Sequence, residues 1–219
     1  MYTPVSFKTA ERKAFQTSFA DGLWDIFIGL FALQFAIAPL LSEPLGDFWS
    51  SAIFLPIWGA AYMAIKLARK YVIAPRMGTV NFGKARKEKL RKFSRIMLGI
   101  NALVLILGIL AAVLFTRVFD SQSLALLGGV ASLALGMVLL AGFSLAAAWL
   151  DWPRLFFYGL LLFAAPPVGE WLYQNHGAAH HGYPIVFGIT AGVMILTGLF
   201  MFVRLLKNNP RVDLPGVEA

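Results

Sequence analysis

Apolar residues along this chain collect into long runs separated by short polar stretches. A helix needs about 17–25 mostly apolar residues to cross the hydrocarbon of a bilayer. Six runs meet that length: Leu23–Leu41, Trp49–Ala68, Ile96–Phe115, Leu124–Ala148, Leu155–Leu172 and Pro184–Val203. The pattern predicts an all-α, polytopic membrane bundle of six transmembrane helices. The fifth run carries Pro166 and Pro167, each of which lacks a backbone donor and crowds the preceding turn, so a kinked or broken helix is expected there.

Before the first run, Phe7, Ala10, Ala14, Phe15 and Phe19 recur at roughly helical spacing against Lys8, Glu11, Arg12 and Lys13. That arrangement suits an amphipathic helix lying in the membrane interface, with a frayed polar tail as the alternative. The charges interrupt the place where a signal peptide would need its apolar core, so the segment is expected to stay in the mature protein. The organisation read from the pattern is therefore an interfacial segment (1–22), a six-helix membrane domain (23–203) with a basic connection inside it (66–95), and a C-terminal tail (204–219).

Composition agrees with this class. The 219 residues are 59% hydrophobic and 14% charged, with a mean hydropathy of +0.72, against about a quarter charged residues in soluble domains. Cysteine is absent, which excludes disulfides, thiolate zinc sites and iron–sulfur clusters.

Charge then sets the orientation. Counting Lys and Arg on alternate sides of the six runs puts 18 on one face and leaves Arg117 alone on the other. Basic short loops stay cytoplasmic, so both termini and the second connection are expected inside. Trp24, Trp149 and Trp152 then fall near the inner interface, and Trp49 and Trp171 near the outer one.

The second connection holds Lys66, Arg69, Lys70, Arg76, Lys84, Arg86, Lys87, Lys89, Arg91, Lys92 and Arg95 against the single acid Glu88. Such a cluster attracts anionic lipid head groups, at about 1 kcal/mol per charge near the surface. The alternatives are a solvated loop or an acidic membrane partner. Nucleic acid is not expected, because topology already accounts for the charge.

Two patterns concern packing. Ile96–Leu107 and Ile185–Leu196 match at seven of twelve positions, which fits either an inverted repeat or the small alphabet of membrane helices. Gly188 with Gly192, and Gly128 with Ser132 and Gly136, form small faces at four-residue spacing that let helices approach closely; the default assignment is to contacts within one chain.

Candidate chemistry is sparse. No ionisable residue sits at the centre of a run, which argues against a deep proton relay; Gln34 and Asn101 are polar candidates nearer the middle. Asp21 and Asp25 lie at the start of the first run, where Asp21 suits an N-cap and both suit the positive end of the helix dipole. Asp25, on one face with Asp21 and Gly29, is alternatively a binding residue paired with a cation of the second connection. Pro166, Pro167 and Glu170 mark a candidate pathway or gate.

His176, His180 and His181 follow in the order His-x-x-x-His-His. On one helical turn His176 and His180 would share a face suited to a transition metal. The triplet superficially resembles one histidine box of membrane desaturases, but those enzymes use several boxes and this chain has three histidines in all. A flexible, solvated loop is the expected reading, with no desaturase activity and no cofactor nominated. No Ser-His-Asp grouping, phosphate loop or catalytic carboxylate pair is evident, so no catalytic residue is assigned.

Asp21-Gly22-Leu23-Trp24-Asp25-Ile26-Phe27-Ile28-Gly29 and Pro75-Arg76-Met77-Gly78-Thr79-Val80-Asn81-Phe82 resemble motifs of an uncharacterised family of small prokaryotic multi-pass integral membrane proteins. The resemblance implies a prokaryotic inner-membrane location, and a single cytoplasmic unit built from the Asp25 region and the Arg76 loop. The function expected from all of this is that of a non-enzymatic scaffold or accessory subunit contacting anionic lipid and a membrane partner or a second copy. The alternative is a small transporter or channel with its pathway near the broken fifth helix and Asp25. A lipid-active enzyme is the third reading.

Overall fold

The computed structural model describes residues 15, 19–78, 88–100, 102, 106 and 121–210, with side chains from 132 onward in the helix that begins at Ser121. Every regular element among these residues is helical. In chain order they are α1 (Leu23–Ala52), α2 (Phe54–Ala68), one wide turn (Arg69–Ile73), α3 (Ala74–Met77), α4 (88–100), α5 (Ser121–Leu150), α6 (Arg154–His176), a short turn (Ala179–Gly182) and α7 (Tyr183–Asn208). Four helices are long and apolar enough to cross a membrane: Leu23–Ala52, Ser132–Leu150, Arg154–His176 and Ala179–Asn208.

The remaining two expected spans stand differently. Gly46 is non-helical inside α1 (φ 76, ψ 161), and it lies in the interval 42–48 between the first two expected runs. The helix resumes at Asp47 and passes Ile53, whose N–H donates to the Trp49 carbonyl at 3.1 Å. Pro56 has no N–H for the Ala52 carbonyl, which accounts for the local interruption that leaves α2 with 15 residues. The third expected span lies largely outside the described residues, as do Asn101, the repeat it was to share with the sixth, and the tail beyond residue 210.

Of the kinked or broken helix expected in the fifth span, the break is corrected. α6 runs without interruption from Arg154 to His176 with both prolines inside it. Pro166 and Pro167 remove the donors for the Leu162 and Phe163 carbonyls, yet the packing around them is close enough to hold the helix. Leu162, Ala165 and Pro166 are buried. Gly136 of α5 lies so near that a Cβ there would stand 2.5 Å from the Phe163 oxygen. The carbonyl that Pro167 leaves unpaired thus faces a glycine backbone, a setting for a Cα–H···O contact.

The bundle is built from two antiparallel pairs, α1 with α7 and α5 with α6, joined by the α6–α7 hairpin. Small residues set the first pair's separation. A Cβ on Gly22 would meet the Gly198 oxygen, and one on Gly29 would lie 3.1 Å from the Ala191 oxygen. Ala36 reaches Gly188 further along, while Gly192, expected on the same seam, has open space beside it. The apolar core contains Ala32, Leu155, Tyr158, Leu162, Phe187, Ala191 and Met194. α4 rests against the end of α5 through Phe93, whose ring lies 5.8 Å from Trp149, and through the Lys89 carbonyl, which accepts from Trp149 Nε1 at 3.3 Å.

Of the apolar residues expected on one face of the N-terminal segment, Phe15 and Phe19 are described. Phe15 is buried and meets Phe19 edge-on, and Phe19 stacks on Trp152 at 4.9 Å. These rings pack on protein, so at these two positions the expected lipid-facing surface is turned inward. Trp152 is likewise only 5% exposed, a core residue in place of an interface anchor.

Gly136→Ala is expected to lower stability by about 1–3 kcal/mol through overpacking. Gly142→Ala, on the same helix with nothing within 4 Å, should raise it by about 0.4–1 kcal/mol through the unfolded chain. Unfolding in mixed SDS micelles checks the pair, and equal effects at both sites would remove the role given to the Phe163 carbonyl.

Candidate functional site

The two acids at the start of α1, Asp21 just before its cap and Asp25 inside its first turn, meet two arginines from different parts of the chain. Gly22 is the N-cap of α1 with φ 74, a left-handed conformation that favours glycine. Asp21, one position earlier, accepts the Leu23 N–H on Oδ1 at 3.1 Å. The capping role expected of Asp21 is therefore carried from the position before the cap.

Asp21 Oδ2 accepts from Arg69 Nε at 2.9 Å and from Nη2 at 2.7 Å. Arg69 opens the wide turn after α2, where the Ala74 N–H donates to the Arg69 carbonyl, five residues back. Such turns are inserted in α-helices at functional positions and re-aim side chains. The Arg69 guanidinium also lies 5.5 Å from the Trp24 ring.

Asp25, one turn further, has no exposed surface. Tyr158 of α6 donates its hydroxyl proton to Oδ1 at 2.5 Å. Arg154, one turn before Tyr158, places Nη1 3.2 Å from Oδ2. The same guanidinium donates from Nη2 to the Phe19 carbonyl at 2.7 Å and contacts Met201 Sδ of α7. The Arg154–Asp25 approach is an ion pair without hydrogen-bond geometry, and Oδ2 accepts no hydrogen bond. Each carboxylate thus has its own guanidinium, and α1, α2, α6 and the segment before α1 are tied together at one end of the bundle.

The pairing expected of Asp25 with a cation of the second connection is corrected: that partner, Arg69, goes to Asp21, and Asp25 is held by Arg154 and Tyr158. Neither of the latter was singled out from sequence. Their signal was present, since Arg154 and Tyr158 repeat at the start of α6 the four-residue spacing of Asp21 and Asp25 at the start of α1.

The other candidates gather at the far end, about 25 Å away by a helical rise of about 1.5 Å per residue from Asp25 to Ser42. Glu170, 8% exposed, accepts from Gln174 Nε2 and faces His181 Nδ1, both at 2.9 Å. His176 ends α6 and packs edge-on against Trp171. Gly177 then turns the chain with φ 63, so His176 and His180 do not share a helical face.

His180 and His181 adopt left-handed φ of 50 and 56, and Gly182 packs so tightly that a Cβ would lie 2.6 Å from the Gly169 oxygen. Of the solvated loop expected here, Gly177, Ala179 and His181 are exposed, while Gly182 is buried against Gly169. Among the described residues no group of three His, Asp or Glu side chains is placed to hold a metal. Gln34 lies on α1 with its Oε1 buried and unpaired. Pro166 and Pro167 are interior to α6. Lys84, Arg86 and Lys87 lie outside the described residues.

No family model matches the chain, and no curated protein or solved structure is significantly similar to it.

Tyr158→Phe leaves the buried Asp25 Oδ1 without its donor, and should cost about 1.5–3 kcal/mol, as for hydrogen bonds to charged groups. Arg69→Lys, at a third-exposed pair, should cost about 0.2–1 kcal/mol. SDS unfolding of both variants checks the order; the reverse order would place the bundle's principal tie at Asp21.

Proposed function

We propose that this chain is a six-span inner-membrane scaffold or accessory protein of a prokaryote, with both termini cytoplasmic, whose basic connection holds anionic lipid beside a membrane partner or a second copy. The supporting observation is how charge is distributed at the basic end. The buried carboxylates Asp21 and Asp25 take Arg69 and Arg154. None of the ion pairs among the described residues uses Lys66, Lys70, Arg76, Lys89, Arg91, Lys92 or Arg95.

Lys66 and Lys70 lie over the rings of Tyr62 and Tyr71. Arg76 Nη1 donates to the Val72 carbonyl at 2.7 Å. On α4, Arg91, Lys92 and Arg95 are exposed and, at spacings of one, three and four residues, share a face. Phosphate head groups are the natural counter-ions for such a surface. Arg69 leaves the lipid-contact set, since its guanidinium is engaged by Asp21.

The competing transport reading placed a pathway beside Asp25 and a broken fifth helix. α6 is continuous and the Asp25 side chain is fully enclosed, so neither feature supplies an opening there.

Native mass spectrometry of the protein in mild detergent is the test. Phosphatidylglycerol or cardiolipin should be retained in preference to phosphatidylethanolamine. The variant with Arg91→Gln, Lys92→Gln and Arg95→Gln should retain less, since each charge contributes about 1 kcal/mol near the surface. Equal retention of both lipid classes, unaltered in the variant, would refute the reading.

A further inference from the structure

The cations without an acidic partner at the basic end lie on several elements, and two of them stand at the end of an uncovered apolar face. Lys66, in the last turn of α2, and Lys70, in the wide turn that follows, are four residues apart and both exposed, so they are neighbours on the helix surface. Arg69, between them in sequence, is drawn away to Asp21. Neither lysine pairs with an acid of the described residues. Lys66 Nζ stands 4.6 Å from the centre of the Tyr62 ring, one turn back along α2, which turns its charge towards the apolar length of the helix.

That length is open on the same side. α2 packs on α1, and its buried residues are Phe54 and Ile65. Leu55, Gly59 and Met63 are exposed and form a row at four-residue spacing that ends beside Lys66. A Cβ on Gly59 would meet nothing within 4 Å, so the row has a notch between two bulky side chains.

Charge and shape together select one class of occupant. Two ammonium groups one turn apart complement a phosphate, and phosphate head groups are what such clusters attract at a membrane surface. A head group carrying its own ammonium would meet like charge here, and the nearby carboxylate of Asp21 is already held by Arg69. A free phosphate leaves the apolar row unused, whereas a diacyl lipid fills it with a chain.

We propose that α2 carries one discrete site for an anionic diacyl phospholipid whose head group has no amine. Its phosphate lies between Lys66 and Lys70, and one acyl chain follows Leu55 and Met63 across the notch at Gly59. The inference rests on the lipid reading of the basic connection and narrows it from a charged surface to a single binding site.

Native mass spectrometry of the full-length protein, titrated in mild detergent with phosphatidylglycerol, phosphatidylethanolamine and glycerol phosphate, tests the proposal. One phosphatidylglycerol is expected to bind about tenfold tighter than either comparator, since the second lipid brings an amine and glycerol phosphate has no chains. Lys66→Gln with Lys70→Gln should weaken that first lipid by about tenfold or more, while Lys66→Arg with Lys70→Arg retains it. Gly59→Leu, which fills the notch, should weaken it by about threefold or more through lost chain contacts, with thermal melting showing the fold retained. Arg91→Gln with Lys92→Gln and Arg95→Gln should strip later, weaker lipids and leave the first in place. Loss of the first lipid in that α4 variant but not in the lysine-to-glutamine variant would overturn this site and leave the lipid reading standing. Equal binding of the two lipids would overturn both, and binding indifferent to Gly59→Leu, or glycerol phosphate bound as tightly as the lipid, would refute the placement on α2.

Discussion

A carboxylate with no exposed surface, one turn inside a helix long and apolar enough to cross a membrane, constrains everything packed around it. Removing the Asp25 charge from water costs several kcal/mol unless an opposite charge and a hydrogen bond come with it. Tyr158 and Arg154 supply these from a single face of α6. The start of α6 is thereby fixed beside the start of α1. Because Arg154 also reaches the Phe19 carbonyl and Met201, the segment before α1 and the end of α7 are drawn to the same point. Removing either partner would leave a charge or a hydroxyl buried without its complement, which gives this cluster a larger structural role than an exposed ion pair has.

Such a polar tie requires the helices to lie close, and in lipid the approach depends on small residues more than on apolar drive. Gly22 and Gly198 bring the ends of α1 and α7 into backbone contact, and Gly29 continues the seam against Ala191 and Ile195. The same device works at a different element. Gly136 admits α5 to the Phe163 carbonyl that Pro167 leaves without its helical donor. Two prolines in sequence can therefore sit within an unbroken helix when the neighbouring helix supplies a surface without side chains.

How far the chain could be read in advance follows from the range of each interaction. The helical class and the start of α1 depend on composition and local pattern, and they were legible. The continuity of α6 was not, because two prolines give a strong local signal for a break while the compensating glycine lies on another helix. Asp25 stood out as a candidate in the sequence, but its partners did not, since Arg154 and Tyr158 are distant in sequence. The close packing of Gly182 on Gly169 was hidden for a related reason, since the contact joins α6 to the turn that follows it and leaves no local pattern.

The two ends of the bundle treat their polar groups in opposite ways, and the contrast separates architecture from interaction. At the basic end both buried carboxylates are matched by guanidinium groups within the chain. Further cations have no acidic partner among the described residues, and of these Arg91, Lys92 and Arg95 are exposed. At the other end Glu170 is matched by His181 and Gln174, while Gln34 Oε1 has no donor and the nearby serines direct their protons to backbone carbonyls. A fold stabilised by internal pairing has no structural need for either remainder. Unpaired cations at one end and an unpaired amide oxygen at the other are where the chain's own groups stop satisfying each other.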